Sequence, residues 1–177
     1  MVDEPADAVE EVEAVAATEP RRGPEALAAL LAPPVHPDVE RLLIVARLAS
    51  EGGGDEEPRY LFVRWPDWPH PALLSIEPPA ATDTLEDAVG SLLRARLDVG
   101  VRGTVRVSSE RVPVRMPLRR YGTSGTGWLR AALVDVAGEP EPDALLEGFE
   151  ALTLAEALAA LPTDVERAVL RGAAELL

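Results

Sequence analysis

The sequence predicts an α+β protein, a mixed β-sheet held between helices in an α/β/α sandwich. Two observations predict it. Strand-like runs flank a single capped, amphipathic helix, Asp83 to Val101 (DTLEDAVGSLLRARLDVGV), giving the order strands, helix, strands. Two short helical segments with matching start signals, Thr153 with Glu156 and Thr163 with Glu166, then close the chain and supply a second helical layer.

Taken in order, residues 1–23 are acidic, rich in Ala and Pro and free of aromatic side chains, so a disordered tail is expected there. Pro24 to Ala32 (PEALAALLA) begins with Pro as helices often do, and Pro33-Pro34 ends it, so 24–38 reads as a short helix and Pro-rich linker. The folded domain is expected over 39–177. ERLLIVARLA and RYLFVRW are rich in β-branched and aromatic residues and flank the polar, Gly-rich EGGGDEEP, which predicts a β-hairpin. WPDWPHP is a loop, in which Trp65 leans towards packing and Trp68 is open. ALLSI is a short strand and EPPAAT a turn. Asp83 is expected to cap the long helix, with Glu86 completing a capping box, and Leu85, Ala88, Val89, Leu92, Leu93 and Leu97 share its apolar face. TVRVS and RVPVRM alternate Val and Met with Arg, and Pro113 restricts the second run to an edge or bulged strand. YGTSGTG reads as a flexible loop, WLRAALVDVAG as a buried strand, and GEPEPDA as a turn.

Composition limits the function. At 177 residues the chain fits one domain plus a tail. With 31 acidic against 17 basic residues its net charge is −14, which disfavours nonspecific binding to nucleic acid or to an anionic membrane. The absence of Cys excludes disulfides, thiolate metal sites and a cysteine nucleophile. The two histidines, His36 and His70, each sit beside a proline and offer little to acid–base catalysis. No apolar run approaches the roughly 18 residues of a membrane span, and the acidic start lacks signal-peptide order, so a cytoplasmic protein is the default expectation.

RYLFVRWPDWPHPALLSIEPP, TLEDAVGSLLRARLDVGV and WLRAALVDVAGEPEPDALLEGFEALTLAEALAAL, in that order, resemble the Nudix hydrolase family over residues 39–175. Phe149 and Leu152-Thr153 stand where that family closes with an aromatic residue, Leu-Thr and a helix. The resemblance implies the α/β/α sandwich. The family signature is Gly-x5-Glu-x7-Arg-Glu-U-x-Glu-Glu-x-Gly-U, with U bulky and apolar. Pinned on Gly100-Val101, it places Leu93 and Arg94 at the Arg-Glu pair and Leu97 and Asp98 at the Glu-Glu pair, so one acid survives. At the front, IEPPAA keeps Glu77 but puts Pro79 and Ala80 in the Gly and Glu places, and joining both ends requires extra residues between turn and helix.

Such a site works by holding Mg²⁺ on helical carboxylates, the metal bridging phosphate oxygens and activating water. Leu and Arg supply no oxygen ligand, and a guanidinium repels the cation. The expectation is therefore a degenerate, catalytically inactive Nudix-like domain that binds a protein partner or a phosphorylated small molecule, without a cofactor. Candidate ligand-binding residues are Arg94, Arg115, Arg119, Arg120 and Trp128. All but Arg94 lie in the Arg-rich stretch from Arg102 to Arg130, whose guanidiniums match phosphate oxygens or pair with acids elsewhere on the surface. The first alternative is an active phosphohydrolase of nucleoside-diphosphate-like substrates, with Mg²⁺ on a rearranged set drawn from Glu77, Glu86, Asp98 and Glu110. First-turn acids such as Glu86 also have a plain role in capping. A second alternative is a structural oligomerisation domain, for which a homodimer is expected.

Overall fold

The computed structural model describes residues 35–49, 57–80, 83–118 and 123–177. The tail expected over 1–23, the helix expected from Pro24, and Arg119 and Arg120 lie outside the described residues. The elements are β1 (Val35–Leu48), β2 (Arg59–Arg64), β3 (Leu74–Ile76), α1 (Leu85–Leu97), β4 (Gly100–Val107), β5 (Val112–Leu118), β6 (Thr123–Ala137), β7 (Gly148–Thr153), α2 (Leu154–Ala160) and α3 (Asp164–Ala174). β1 begins at Val35, so residues 35–38 of the expected linker are strand.

The strands form one mixed sheet in the order β4-β6-β1-β2-β7, with β3 added to β1 and β5 to β6. β1 and β6 run parallel, Glu40 opposite Trp128 through Leu48 opposite Val136, and the other pairings are antiparallel. Because successive side chains point to opposite faces, these two central strands sort their residues into two cores. Leu43, Val45, Tyr60, Phe62, Leu129 and Leu133 pack with Ala157, Leu161, Val169, Leu170 and Ala173 of the α2–α3 layer. Ile44, Ala46, Leu61, Val63, Val134 and Val136 pack with Val89, Leu93 and Leu97 of α1. The unbroken apolar run from Leu42 to Ala46 is what a strand buried on both faces requires.

Two expectations change in detail. α1 is capped by Thr84 rather than Asp83: its hydroxyl oxygen accepts from the Asp87 N–H at 3.1 Å and donates to the Asp87 carboxylate at 2.7 Å. Both Asp83 and Thr84 precede an acid by three residues, so the sequence alone leaves two equivalent starts. Residues 123–127, read as loop, belong to β6, where Thr123 pairs Leu118 and Gly127 pairs Val114. Their Ser, Thr and Gly content is loop-like, but the β5 edge supplies ladder hydrogen bonds that override local propensity. β7 was anticipated only as part of a resemblance, since GFEALT carries a charge mid-run. Pro113 does lie on an edge: β5 pairs with β6 alone.

The two C-terminal caps form as expected, and Thr153 with Glu156 closes a full capping box. The Glu156 carboxyl is held below the ordinary glutamate range by the Thr153 backbone N–H, then by the Thr153 hydroxyl. A depressed carboxylate contributes stability above its unfolded pKa and loses it as pH falls through the folded value. The gap in thermal midpoint between the native chain and Glu156→Ala is therefore expected to close on acidification below the ordinary glutamate range. A gap that widens there would contradict the capping assignment. Thr153→Ala is expected to cost about 1 kcal/mol in denaturant titrations.

Candidate functional site

α1 ends at Asp98, which adopts the left-handed conformation (φ 51°, ψ 30°) while its N–H bonds to the Arg94 carbonyl at 3.1 Å. Glycine is favoured at such a stop because a Cβ is strained there, and Asp is among the few other residues that enter it. Gly100, by contrast, opens β4 and has no positive φ. The position equivalent to the signature's stop glycine is therefore Asp98, two residues earlier than the Gly100 pinning. In the corrected register the apolar places fall on Leu93 and Val99, each 1% exposed. The Arg-Glu pair falls on Ser91-Leu92, the Glu-Glu pair on Ala95-Arg96, and the front Glu on Asp83. None of the three helix acids survives. The Gly100 pinning fails on burial: it would put a metal-binding carboxylate at Leu97, which is in the core at 1% exposure.

Arg94 is thus a variable position of the signature, exposed on the last turn and without an ion pair among the described residues. Arg96 takes the place of a glutamate. Its Nη1 donates to the Asp143 carboxylate at 2.5 Å, the Asp143 N–H returns to the Arg96 carbonyl at 2.9 Å, and the Glu141 N–H bonds to the Leu97 carbonyl at 2.8 Å. The loop after β6 thereby satisfies the last carbonyls of the helix and neutralises the arginine. A cation so placed repels a divalent metal, while its own carboxylate partner is already engaged.

The fallback ligands do not converge. Glu77 is a largely exposed side chain just past β3 and pairs with Arg41 at 3.3 Å. Glu86 lies on the first turn of α1 and Asp98 at its far end, about 18 Å apart along the axis at 1.5 Å per residue. Mg²⁺ holds its ligands at about 2.1 Å, so one ion cannot bridge them. Glu110 lies near α3, where a Cβ on Gly172 would come within 3.1 Å of its carboxylate. Among the described residues no group of three or more His, Asp or Glu side chains is placed to hold a metal ion. The donor set does not fit the family's metal. Asp98→Gly is expected to gain about 0.5–1 kcal/mol by relieving left-handed strain and removing an anion from the negative end of the helix. Urea titration reads this gain, and a loss would refute the assignment of the stop.

The Arg-rich stretch divides on inspection. Arg111 and Arg130 share the Glu40 carboxylate at 3.6 and 3.5 Å, and Arg106 stands 3.9 Å from Asp135. Arg102 and Arg115 make no ion pair among the described residues. Arg115 pairs Thr126 and Pro113 pairs Trp128 across β5 and β6, so Arg115 and Trp128 are diagonal neighbours on one face. Trp128 is half-buried, and its indole N–H is buried without a hydrogen-bond partner among the described residues. That buried, unsatisfied donor, unforeseen in the sequence, belongs to the diagonal neighbour of a cation without an ion pair among the described residues. Trp65 packs against the α1 core as expected, whereas Trp68 is 58% exposed. No helix among the described residues is long and apolar enough to cross a membrane.

One helix on one face of a split mixed sheet and two on the other is the Nudix α/β/α sandwich, and the fold is Nudix-like. The chain is similar to a diadenosine tetraphosphate hydrolase candidate from Jonesia denitrificans, with TM-score 0.51 and 19% identity over 79% of this chain and 94% of that one. It is similar to the Caenorhabditis elegans Ap4A hydrolase, with TM-score 0.50 and 9% identity over 78% of this chain and 96% of that one. The Nudix domain of Shewanella oneidensis NrtR, solved with ADP-ribose, aligns with TM-score 0.49 and 16% identity over 80% and 89%. No family model and no curated protein matches the sequence.

Proposed function

We propose that this Nudix-like domain binds its ligand without hydrolysing it, the ligand being a phosphorylated small molecule or a protein partner. The observation that carries the proposal is the corrected helix register. Leu92, Ala95 and Arg96 stand at the three places where the family signature carries glutamates, and Arg96 is held by Asp143. The unsatisfied Trp128 indole N–H and the unpaired Arg115 on the neighbouring strand supply a donor and a cation for an acceptor-bearing ligand.

The test is turnover. With Mg²⁺ or Mn²⁺ and a panel of nucleoside diphosphates and dinucleoside polyphosphates, phosphate release is expected to equal the protein-free blank. Metal-dependent turnover that disappears in Glu77→Gln or Glu86→Gln contradicts the proposal and favours a rearranged hydrolase.

A further inference from the structure

A polar row crosses the sheet on the face opposite α1. Arg102 of β4 is the strand partner of Asp135 on β6, Asp135 of Arg47 on β1, and Arg47 of Tyr60 on β2. Tyr60 belongs to the core under α2 and α3, which fixes the face. The Arg47 Nε donates to the Asp135 carboxylate at 2.5 Å. Arg106 approaches the other oxygen of that carboxylate at 3.9 Å and donates its Nη1 to the Leu176 carbonyl at 2.6 Å. Arg102 is exposed, with no hydrogen bond or ion pair among the described residues. Two guanidiniums therefore share the Asp135 carboxylate, and a third, Arg102, stands beside it on the neighbouring strand without an ion pair among the described residues. Beside them lies a cavity of about 370 Å³ lined by Arg47, Leu48, Ala49, Pro58, Arg102 and Asp135.

We infer that this cavity binds the phosphate group of a small phosphorylated molecule. Acids outnumber bases in this chain, 31 to 17, so an arginine cluster with surplus positive charge stands against the general balance. Mutual repulsion of the guanidiniums is relieved by an anion, which Asp135, the one carboxylate among the cavity's described lining residues, supplies only in part. Asp135 engages only the Nε of Arg47, leaving its terminal nitrogens as donors, and every Arg102 donor is free among the described residues. Two guanidinium forks lining one cavity, from the strands on either side of Asp135, offer more donors than a flat carboxylate can engage and suit the tetrahedral spread of phosphate oxygens. The volume lies at the small end of the range for metabolite sites, and the apolar wall of Leu48, Ala49 and Pro58 leaves room for a short organic body. The site does not depend on what α1 does, so it stands or falls separately from the proposed loss of hydrolysis.

The test titrates the full chain with inorganic phosphate at constant ionic strength, set by sodium chloride, and follows backbone amide shifts by NMR. Saturable shifts are expected at Arg47 to Ala49, Arg102, Arg106 and Asp135. Affinity is expected to fall about tenfold or more in Arg102→Ala, which removes no hydrogen bond or ion pair among the described residues, and to hold in Arg171→Ala, a charge-matched change at an exposed position of α3. Arg102→Lys should restore part of the loss. Absence of saturable shifts, or equal affinity in Arg102→Ala, overturns the inference. The segment between Ala49 and Pro58 contains Glu51, Asp55, Glu56 and Glu57 as competing anions. Binding seen only after Glu51→Gln, Asp55→Asn, Glu56→Gln and Glu57→Gln are combined also overturns it, because the arginines would then serve the chain itself.

Discussion

Leu97→Glu is expected to destabilise the fold by several kcal/mol, on the order of 4, while Ala95→Glu leaves stability within about 0.5 kcal/mol. The contrast follows from the stop at Asp98. If the signature ended at Gly100, Leu97 would hold a metal-binding carboxylate and would have to reach solvent. In the structure Leu97 is 1% exposed and packs with Val89, Leu93, Val134 and Val136, so a glutamate there buries a charge or drags its proton into the core. Ala95 faces solvent on the same helix, in a good helix-forming context. Urea unfolding midpoints measure both. Equal effects from the two substitutions would show that the helix register is misplaced, and with it the inventory of missing acids.

Phe62→Ala is expected to cost about 3–5 kcal/mol, a large share of the stability of a domain of this size. Phe62 is fully buried on β2, which is hydrogen-bonded to β1 on one side and to β7 on the other, and its ring lies in the core that seats α2 and α3. Deleting it leaves a cavity that the flanking strands cannot close without breaking their ladders. The thermal midpoint should fall by about 10 °C or more. Trp68→Ala, at 58% exposure, should move it little. A small effect at Phe62 would mean that the α2–α3 layer does not rest on β2 as described.

The layers of the fold were legible because their signals are local. Alternation, the Thr153 and Thr163 caps, and the spacing of Val89, Leu93 and Leu97 each lie within a few residues of chain. The start and end of α1 were less legible for one shared reason: Asp83 and Thr84 are both competent caps, and Asp98 and Gly100 are both plausible stops. The sequence offers the better-known residue in each pair, and the backbone took the other. That the helix lacks acids at the places of the Nudix signature was visible in outline, but with the stop at Asp98 those places lie two residues earlier. Arg94, expected at the glutamate of the Arg-Glu pair, is an exposed cation without an ion pair among the described residues, whereas Arg96, unremarked in the sequence, stands at the second glutamate of the Glu-Glu pair and is paired with Asp143.

Both Arg115 and Trp128 could be picked out from the Arg-rich stretch, but the orphan indole N–H could not, since burial of one atom depends on packing. Even less legible was the row Arg102, Asp135, Arg47 and Tyr60, contributed by four strands whose mutual register no spacing along the chain reveals.

The proposed binding without hydrolysis rests on α1 holding no metal. Mn²⁺ broadens nuclear signals steeply with distance, so titrating it into the isotope-labelled chain and following the amides of residues 83–98 tests that claim most directly. No selective, saturable broadening along α1 is expected at Mn²⁺ concentrations up to the millimolar range. Saturable broadening centred on this helix, abolished by Glu86→Gln or Asp83→Asn, would contradict the account and return the domain to the hydrolases.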